Sequence, residues 1–311
     1  MLDHYLAEVA RGASEIDFNR LHITLETHLA PAELRALVDG VRARGPALPE
    51  HCRLWLKRTD TFLAYGGLPV QPYERRVLAD GVNAYAAPGT PEERARRTLV
   101  IAFTGDSFRL MLPIGIFLQH CPADRYEFLL LFDRRKCLYL RGIDGLTRDM
   151  AGTFEWIAAN VPLQGFGRVV SFGVSAGGMA AVWTAIGMRL ARGVSVGGTT
   201  PDSAATRYQT QGVSADGFMD AVRRNEGHLP EVLLVAGADC ERDREKAQAM
   251  SQRVPATIVL APGVAKHNVI AELWTRHELV PFLERLLGSS GSEQPSTGDP
   301  AAAPSRAPAA P

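Results

Sequence analysis

The sequence of 311 residues lacks an excess of charge of either sign, with 34 Lys and Arg residues against 34 Asp and Glu residues. Nucleic-acid-binding proteins usually carry a basic excess, so this balance argues against nucleic acid as a partner. The sequence also lacks an apolar run of about 18 residues, the length that a membrane-spanning helix needs. Its N-terminus contains Asp3 and Glu8 rather than a basic start followed by an apolar stretch. We therefore expect no secretory signal and a cytoplasmic location.

Cysteine is scarce, and no two of the four cysteines are spaced for a zinc knuckle or a redox pair; they are Cys52, Cys121, Cys137 and Cys240. We expect four free thiols in a reducing compartment. The sequence contains neither a Gly-x4-Gly-Lys-Ser/Thr phosphate loop nor a His-Glu-x-x-His zinc motif. A Gly-Phe-Gly run at residues 165–167 precedes its strand instead of following it, so it is not a dinucleotide-binding fingerprint. These absences predict that no metal or cofactor is needed.

Short apolar runs alternate with helical patterns between residues 97 and 288. The runs that predict buried strands are residues 98–103, 128–132, 169–172, 194–196, 232–235 and 256–260. The helical patterns between them are residues 109–119, 147–160, 177–192, 242–253 and 269–287. This alternation predicts an α/β core at 97–288, with a mostly parallel central sheet and helices on both faces.

Three segments differ from this alternation. Residues 1–96 form an N-terminal extension, with predicted helices at 2–11 and 31–44 and possible edge strands at 54–56, 76–78 and 83–86. Residues 201–229 exceed an ordinary loop, and they predict either a cap over the site or a crossover helix with a long approach. Residues 289–311 are mostly Ser, Gly, Ala and Pro, and they predict a disordered tail because they hold too little apolar surface to offset the entropy of ordering.

The sharpest motif is the Gly-x-Ser-x-Gly of Gly173, Ser175 and Gly177, which lies between a predicted strand and a predicted helix. In such a turn the central residue adopts a strained backbone conformation, and side chains two positions before and after it would collide with neighbouring backbone. Glycine at both positions removes these collisions. The pattern predicts that Ser175 projects as a nucleophile from the carboxyl edge of the sheet, although a turn of small residues without chemistry would have the same sequence.

A serine hydroxyl needs a base, and histidine is the usual one. Of the eight histidines, His267 lies where a loop at 261–266 leads from the last predicted strand into the last helix. That position places His267 at the same edge of the sheet as Ser175. His277 lies about three turns further on in the last helix, and His228 lies in the predicted cap region.

The acid that orients the histidine is expected after another strand at this edge. Asp239 lies on the turn just past the strand at 232–235 and is the preferred candidate. Asp243 lies about where the next helix begins, and its alternative role is that of an N-cap. Asp202, after the strand at 194–196, is a third candidate.

The order Ser175, Asp239, His267 resembles that of the α/β-hydrolase family over residues 98–287. The resemblance implies an α/β-hydrolase fold in which Ser175 is the nucleophile, His267 the general base and Asp239 the orienting acid. It predicts a serine hydrolase that cleaves an ester or a thioester. The alternatives are an acyltransferase that uses the same serine, and a non-catalytic binding or scaffold protein that keeps the fold.

The loop that follows the first core strand departs from the family pattern. Many lipase-like members have His-Gly-Gly there, whereas this chain has Thr-Gly-Asp-Ser at residues 104–107. We expect the backbone N–H groups of Ala176 and of Asp106 to form the oxyanion hole. Residues 129–142 are also similar to hydrolase domains found beside bacterial surface-glycan enzymes, or they are a strand followed by a basic surface loop. The expected partner is therefore a small-molecule or glycan-linked acyl substrate.

Overall fold

The computed structural model describes residues 1–45, 47–208 and 214–288, so the predicted tail at 289–311 lies outside the described residues. Its centre is a sheet in the order β1-β2-β4-β3-β5-β6-β7-β8. β2 is antiparallel to β1 and β4, and the remaining neighbours are parallel. The strands are β1 (Glu74–Ala79), β2 (Val82–Ala86), β3 (Thr98–Phe103), β4 (Tyr126–Leu131), β5 (Arg168–Val174), β6 (Arg192–Val196), β7 (Glu231–Gly237) and β8 (Thr257–Ala261). The predicted mostly parallel sheet is confirmed.

Helices cover both faces of the sheet, as predicted. Those before β3 are α1 (Leu2–Arg11), α2 (Glu15–His28), α3 (Pro31–Arg44), α4 (Glu50–Ala64) and α5 (Pro91–Arg94). Those within the core are α6 (Ile114–Gln119), α7 (Met150–Asn160), α8 (Gly178–Gly187), α9 (Pro201–Tyr208), α10 (Asp216–Arg224), α11 (Glu241–Ser251), α12 (Val269–Thr275) and α13 (Leu279–Leu287).

The sheet separates two hydrophobic cores because alternate residues of a strand point to opposite faces. On β3, Val100 and Ala102 join the core under the N-terminal helices, α6, α12 and α13. Leu99 and Ile101 join the other core, under α7, α8, α10 and α11. The N-terminal helices therefore complete one of the two layers over the sheet instead of forming a separate unit.

The structure corrects the sequence prediction at three places. Residues 54–56 belong to α4 and not to a strand, since Cys52, Leu56 and Leu63 bury one helical face. The helix predicted from residue 109 begins only at Ile114, so residues 104–113 form a loop. The last helix is two helices, separated where His277 adopts a left-handed conformation with φ of 60°.

Several other predictions are confirmed. The helices at 2–11 and 31–44 and the edge strands at 76–78 and 83–86 are present as α1, α3, β1 and β2. All four cysteines are buried free thiols. Across the described ranges, no helix has the length and apolar character needed to cross a membrane.

Candidate active site

Ser175 lies on the turn between β5 and α8 with φ of 51°, in the left-handed region that non-glycine residues rarely adopt. A Cβ on Gly173 would lie 2.1 Å from the Gly177 carbonyl oxygen, and a Cβ on Gly177 would lie 2.3 Å from the Phe103 carbonyl oxygen. The backbone is therefore too close at both positions for any side chain. These contacts account for the Gly-x-Ser-x-Gly spacing, and they hold the Ser175 side chain at the carboxyl end of β5.

His267 connects the serine to a carboxylate. Its Nε2 lies 2.9 Å from Ser175 Oγ, and its Nδ1 lies 2.6 Å from Asp243 Oδ2. A carboxylate can only accept a hydrogen bond, so Nδ1 carries the hydrogen and the Nε2 lone pair faces the serine hydroxyl. The arrangement can take a proton from Ser175 and stabilise the resulting imidazolium.

This order of elements decides the fold. A strained serine turn follows a central strand of a mostly parallel sheet, an acid follows a later strand, and a histidine follows the last one. The chain has the α/β-hydrolase fold.

Comparison with known proteins gives structural likenesses at low sequence identity. Esterase B from Lactobacillus rhamnosis is 16% identical, with 82% of this chain and 96% of that chain covered and a TM-score of 0.44. Dienelactone hydrolase from Anabaena variabilis is 17% identical, with 70% and 97% covered and a TM-score of 0.43. The fluorophosphonate-binding serine hydrolase F from Staphylococcus aureus is 10% identical, with 67% and 97% covered and a TM-score of 0.45.

No family model and no curated protein matches this chain. The fold assignment rests on the strand order and on the turn at Ser175 rather than on these likenesses.

The structure brings Asp243, and not the preferred candidate Asp239, into contact with His267. Asp239 is exposed on the turn after β7, where its backbone N–H donates to the Val264 carbonyl oxygen. Asp243 lies in the first turn of α11 with its side chain 0% exposed, directly behind His267. The helix begins before Asp243, so this residue is not the N-cap, and the buried face of the first turn directs it to the site. Asp202, the third candidate, pairs instead with Arg253.

The surroundings of Asp243 favour its charged form. Burial by itself would raise the pKa of the carboxyl group, but the hydrogen bond with His267 and the charge of Arg242 outweigh burial and hold the pKa below its ordinary value. Asp243 is therefore an anion at neutral pH, as a partner for an imidazolium must be.

Gly197 is a residue that the sequence analysis missed. It directly follows β6 with φ of 58°, and a Cβ there would lie 2.8 Å from His267 Cε1 and 3.2 Å from Asp243 Oδ2. The His267–Asp243 pair thus occupies the space that a side chain at position 197 would need. A glycine just past a strand is common in sequences, so only the structure reveals this constraint.

We expect Gly197→Ala to lower kcat about 10²-fold, because an added methyl group must displace the imidazole or the carboxylate. Gly12→Ala is the matched control, since Gly12 has a similar φ of 66° but no atom within 4 Å of a Cβ. Both variants place an alanine in a left-handed backbone conformation, so both carry the same backbone strain. Steady-state ester hydrolysis should show a lowered kcat only for Gly197→Ala. Equal activities would contradict the steric argument.

A pocket of about 300 Å³ opens over Ser175 and His267. Its walls include Gly105, Asp106 and Arg109, all from the loop between β3 and α6. The loop closes on itself, since Gly105 N–H donates to the Arg109 carbonyl oxygen at 3.0 Å. A Cβ on Gly105 would be 3.4 Å from Ser175 Cβ, so the loop lies directly against the serine.

The predicted cap at 201–229 contributes no described residue to the lining of this pocket, and residues 209–213 of that segment lie outside the described residues. α10 packs on α8 instead, with the Phe218 and Trp183 ring centroids 6.1 Å apart. Over the described part of the chain, no group of three or more His, Cys, Asp or Glu side chains is placed to hold a metal ion.

Proposed function

We propose that the protein is a serine hydrolase that cleaves an ester or a thioester of a small acyl substrate. The observation that carries the proposal is the unbroken chain of contacts from Ser175 Oγ to His267 and from His267 to Asp243, at 2.9 Å and 2.6 Å. A purely architectural turn would not need a buried carboxylate behind a histidine that faces the serine. This contact chain therefore favours an enzyme over a scaffold that keeps only the fold.

In the proposed mechanism His267 Nε2 takes the proton of Ser175 while Oγ attacks the acyl carbonyl carbon. The tetrahedral intermediate collapses, the bond to the leaving alkoxide or thiolate breaks, and the leaving group takes the proton back from His267. Water then attacks the acyl-enzyme with His267 again as base. The acid is released and Ser175 regains its proton.

The proposed oxyanion donors are the backbone N–H groups of Ala176 and Asp106. Ala176 follows the nucleophile, and Asp106 lies on the loop that contacts Ser175 and lines the pocket. Donors of this kind act on charge that develops in the transition state, and one such donor is worth about 10²–10³-fold in rate. The Asp106 carboxylate must face away from the oxyanion for this loop to serve.

The test is turnover of a series of phenyl esters and thioesters of increasing acyl length by the wild type and by Ser175→Ala. We expect Ser175-dependent release of free acid, with short acyl chains preferred because the pocket holds only about 300 Å³. Acceptor alcohols added to the assay separate hydrolysis from transfer. An excess of transfer product over free acid would identify an acyltransferase, and equal turnover by Ser175→Ala would overturn the proposal.

A further inference from the structure

A second and larger cavity, of about 460 Å³, lies between α2 and α4 beside the pocket over Ser175. Arg109 lines both cavities, so the loop that contacts Ser175 borders each of them. We call this cavity the α2–α4 cleft. Its lining residues are Asn19, His22, Ile23, Glu26, His51, Leu54, Trp55, Arg58, Phe62, Arg109 and Pro113. A cavity of this size can hold a small ligand or the distal part of one.

Charged groups in the α2–α4 cleft converge on one buried carboxylate. Glu26, with its side chain 9% exposed, accepts hydrogen bonds from Arg58 Nη2 at 2.7 Å and from Arg109 Nη2 at 2.6 Å. It also accepts one from Trp55 Nε1 at 2.9 Å. Two guanidinium groups therefore share a single carboxylate.

The balance of charge in the cleft is positive. Arg58, Arg109 and Glu26 are the Arg, Lys, Asp and Glu side chains among the lining residues, and together they leave one positive charge without a counterion. Burial holds the pKa of His22 at about 4, so that imidazole is neutral at pH 7. The cleft thus offers excess positive charge and guanidinium donors, which match carboxylate and phosphate oxygens.

One of these donors has no acceptor. Arg109 Nε is buried and makes no hydrogen bond with any part of the chain that the structure describes. Buried donors are nearly always paired, so Arg109 keeps hydrogen-bonding capacity that its contact with Glu26 does not use. Since Arg109 lines both cavities, a ligand that enters from the Ser175 pocket lies beside this residue.

We propose that the α2–α4 cleft binds a carboxylate or phosphate group on the part of the substrate remote from the reacting carbonyl, with Arg58 and Arg109 as the recognising residues. This inference rests on the proposed ester or thioester substrate for its link to Ser175. Anionic esters are then the preferred substrate class.

Binding of intact esters to the Ser175→Ala protein tests the inference independently of turnover. The panel is phenyl valerate, the monophenyl ester of glutarate with its carboxylate on the acyl side, and 4-carboxyphenyl valerate with its carboxylate on the alcohol side. A monophenyl ester of 4-phosphonobutyrate distinguishes phosphate-like from carboxylate recognition. We expect at least one anionic ester to bind about tenfold or more tightly than phenyl valerate by calorimetry.

The variants show whether the cleft is responsible. Arg58→Gln in the Ser175→Ala background should remove most of the advantage of the anionic ester. Lys57→Gln is the matched control, because it removes the same charge from the next position of α4, outside the cleft lining. Arg109→Lys should lower the advantage as well, since lysine keeps the charge but lacks the planar pair of donors that a carboxylate accepts. Circular dichroism establishes that each variant is folded.

The inference is overturned if no anionic ester binds more tightly than phenyl valerate, or if Lys57→Gln lowers the advantage as much as Arg58→Gln does. Wild-type hydrolysis of phenyl valerate is a separate readout of the proposed function. Ester turnover without preferential binding of any anionic ester would overturn the proposed anion site and leave the proposed hydrolase function standing. Tight, Arg58-dependent anion binding without turnover of any ester would overturn the proposed function and leave the anion site standing.

Discussion

Replacing either Ser175 or His267 with alanine is expected to lower kcat for ester hydrolysis by about 10⁴–10⁶-fold. His267 Nε2 is 2.9 Å from Ser175 Oγ, so neither group has a function in the attack without the other. The double variant should therefore be no slower than either single variant. Steady-state and burst kinetics on the three variants measure this, with His228→Ala as a control for loss of an exposed imidazole elsewhere.

A multiplicative loss in the double variant would show that the two side chains act independently. So would a His267→Ala protein that still forms the acyl-enzyme at the wild-type rate. Either result would contradict the inference that the hydrogen bond between Ser175 and His267 makes the serine nucleophilic.

Asp243→Asn is expected to lower kcat by about 10⁴-fold, whereas Asp239→Asn should leave kcat within a small factor of wild type. The amide group introduced at position 243 can donate to His267 Nδ1, and it would then favour the tautomer that carries hydrogen on Nε2 and cannot accept the serine proton. Asp239 is exposed and lies away from the imidazole, so an amide in its place should change little. The two substitutions are chemically identical and four positions apart.

Kinetics of the two variants on one activated ester decide between the carboxylates. Loss of activity in Asp239→Asn alone would contradict the geometry and restore the choice made from the sequence. KM should remain near the wild-type value in both variants, because neither carboxylate lines the pocket over Ser175.

Much of the fold can be predicted because the core strands are continuous apolar runs and the helices between them are periodic. The extension is harder to predict. The Leu-Trp-Leu run at 54–56 is too short to distinguish the hydrophobic periodicity of a helix from that of a strand. Its prediction as a strand is wrong, because the run belongs to α4. Its neighbours Cys52, Thr59 and Leu63 are buried on the same face of α4, so the helical signal spans more residues than the run itself.

The serine and the histidine can be placed from sequence because their constraints are local. The glycines around Ser175 are required by close backbone contacts at the turn, and His267 lies on the loop between the last strand and the next helix. The carboxylate that contacts His267 is Asp243 and not Asp239, because its position depends on how the chain leaves β7. The Asp239 N–H bonds to the Val264 carbonyl oxygen, and this turn exposes Asp239 and directs the first turn of α11 towards His267. Nothing in the polar Glu-Arg-Asp-Arg-Glu-Lys run at 241–246 marks Asp243 as buried.

We infer that a strained turn presents Ser175 to His267 as an activated nucleophile. Labelling of the folded protein with a fluorophosphonate, followed by peptide mass spectrometry, is the decisive experiment. A single covalent adduct is expected on the peptide that contains Ser175, formed at a rate that falls sharply in His267→Ala and absent from Ser175→Ala. An unlabelled wild-type protein beside a labelled control hydrolase, or an adduct on another residue at the same rate in Ser175→Ala, would contradict it.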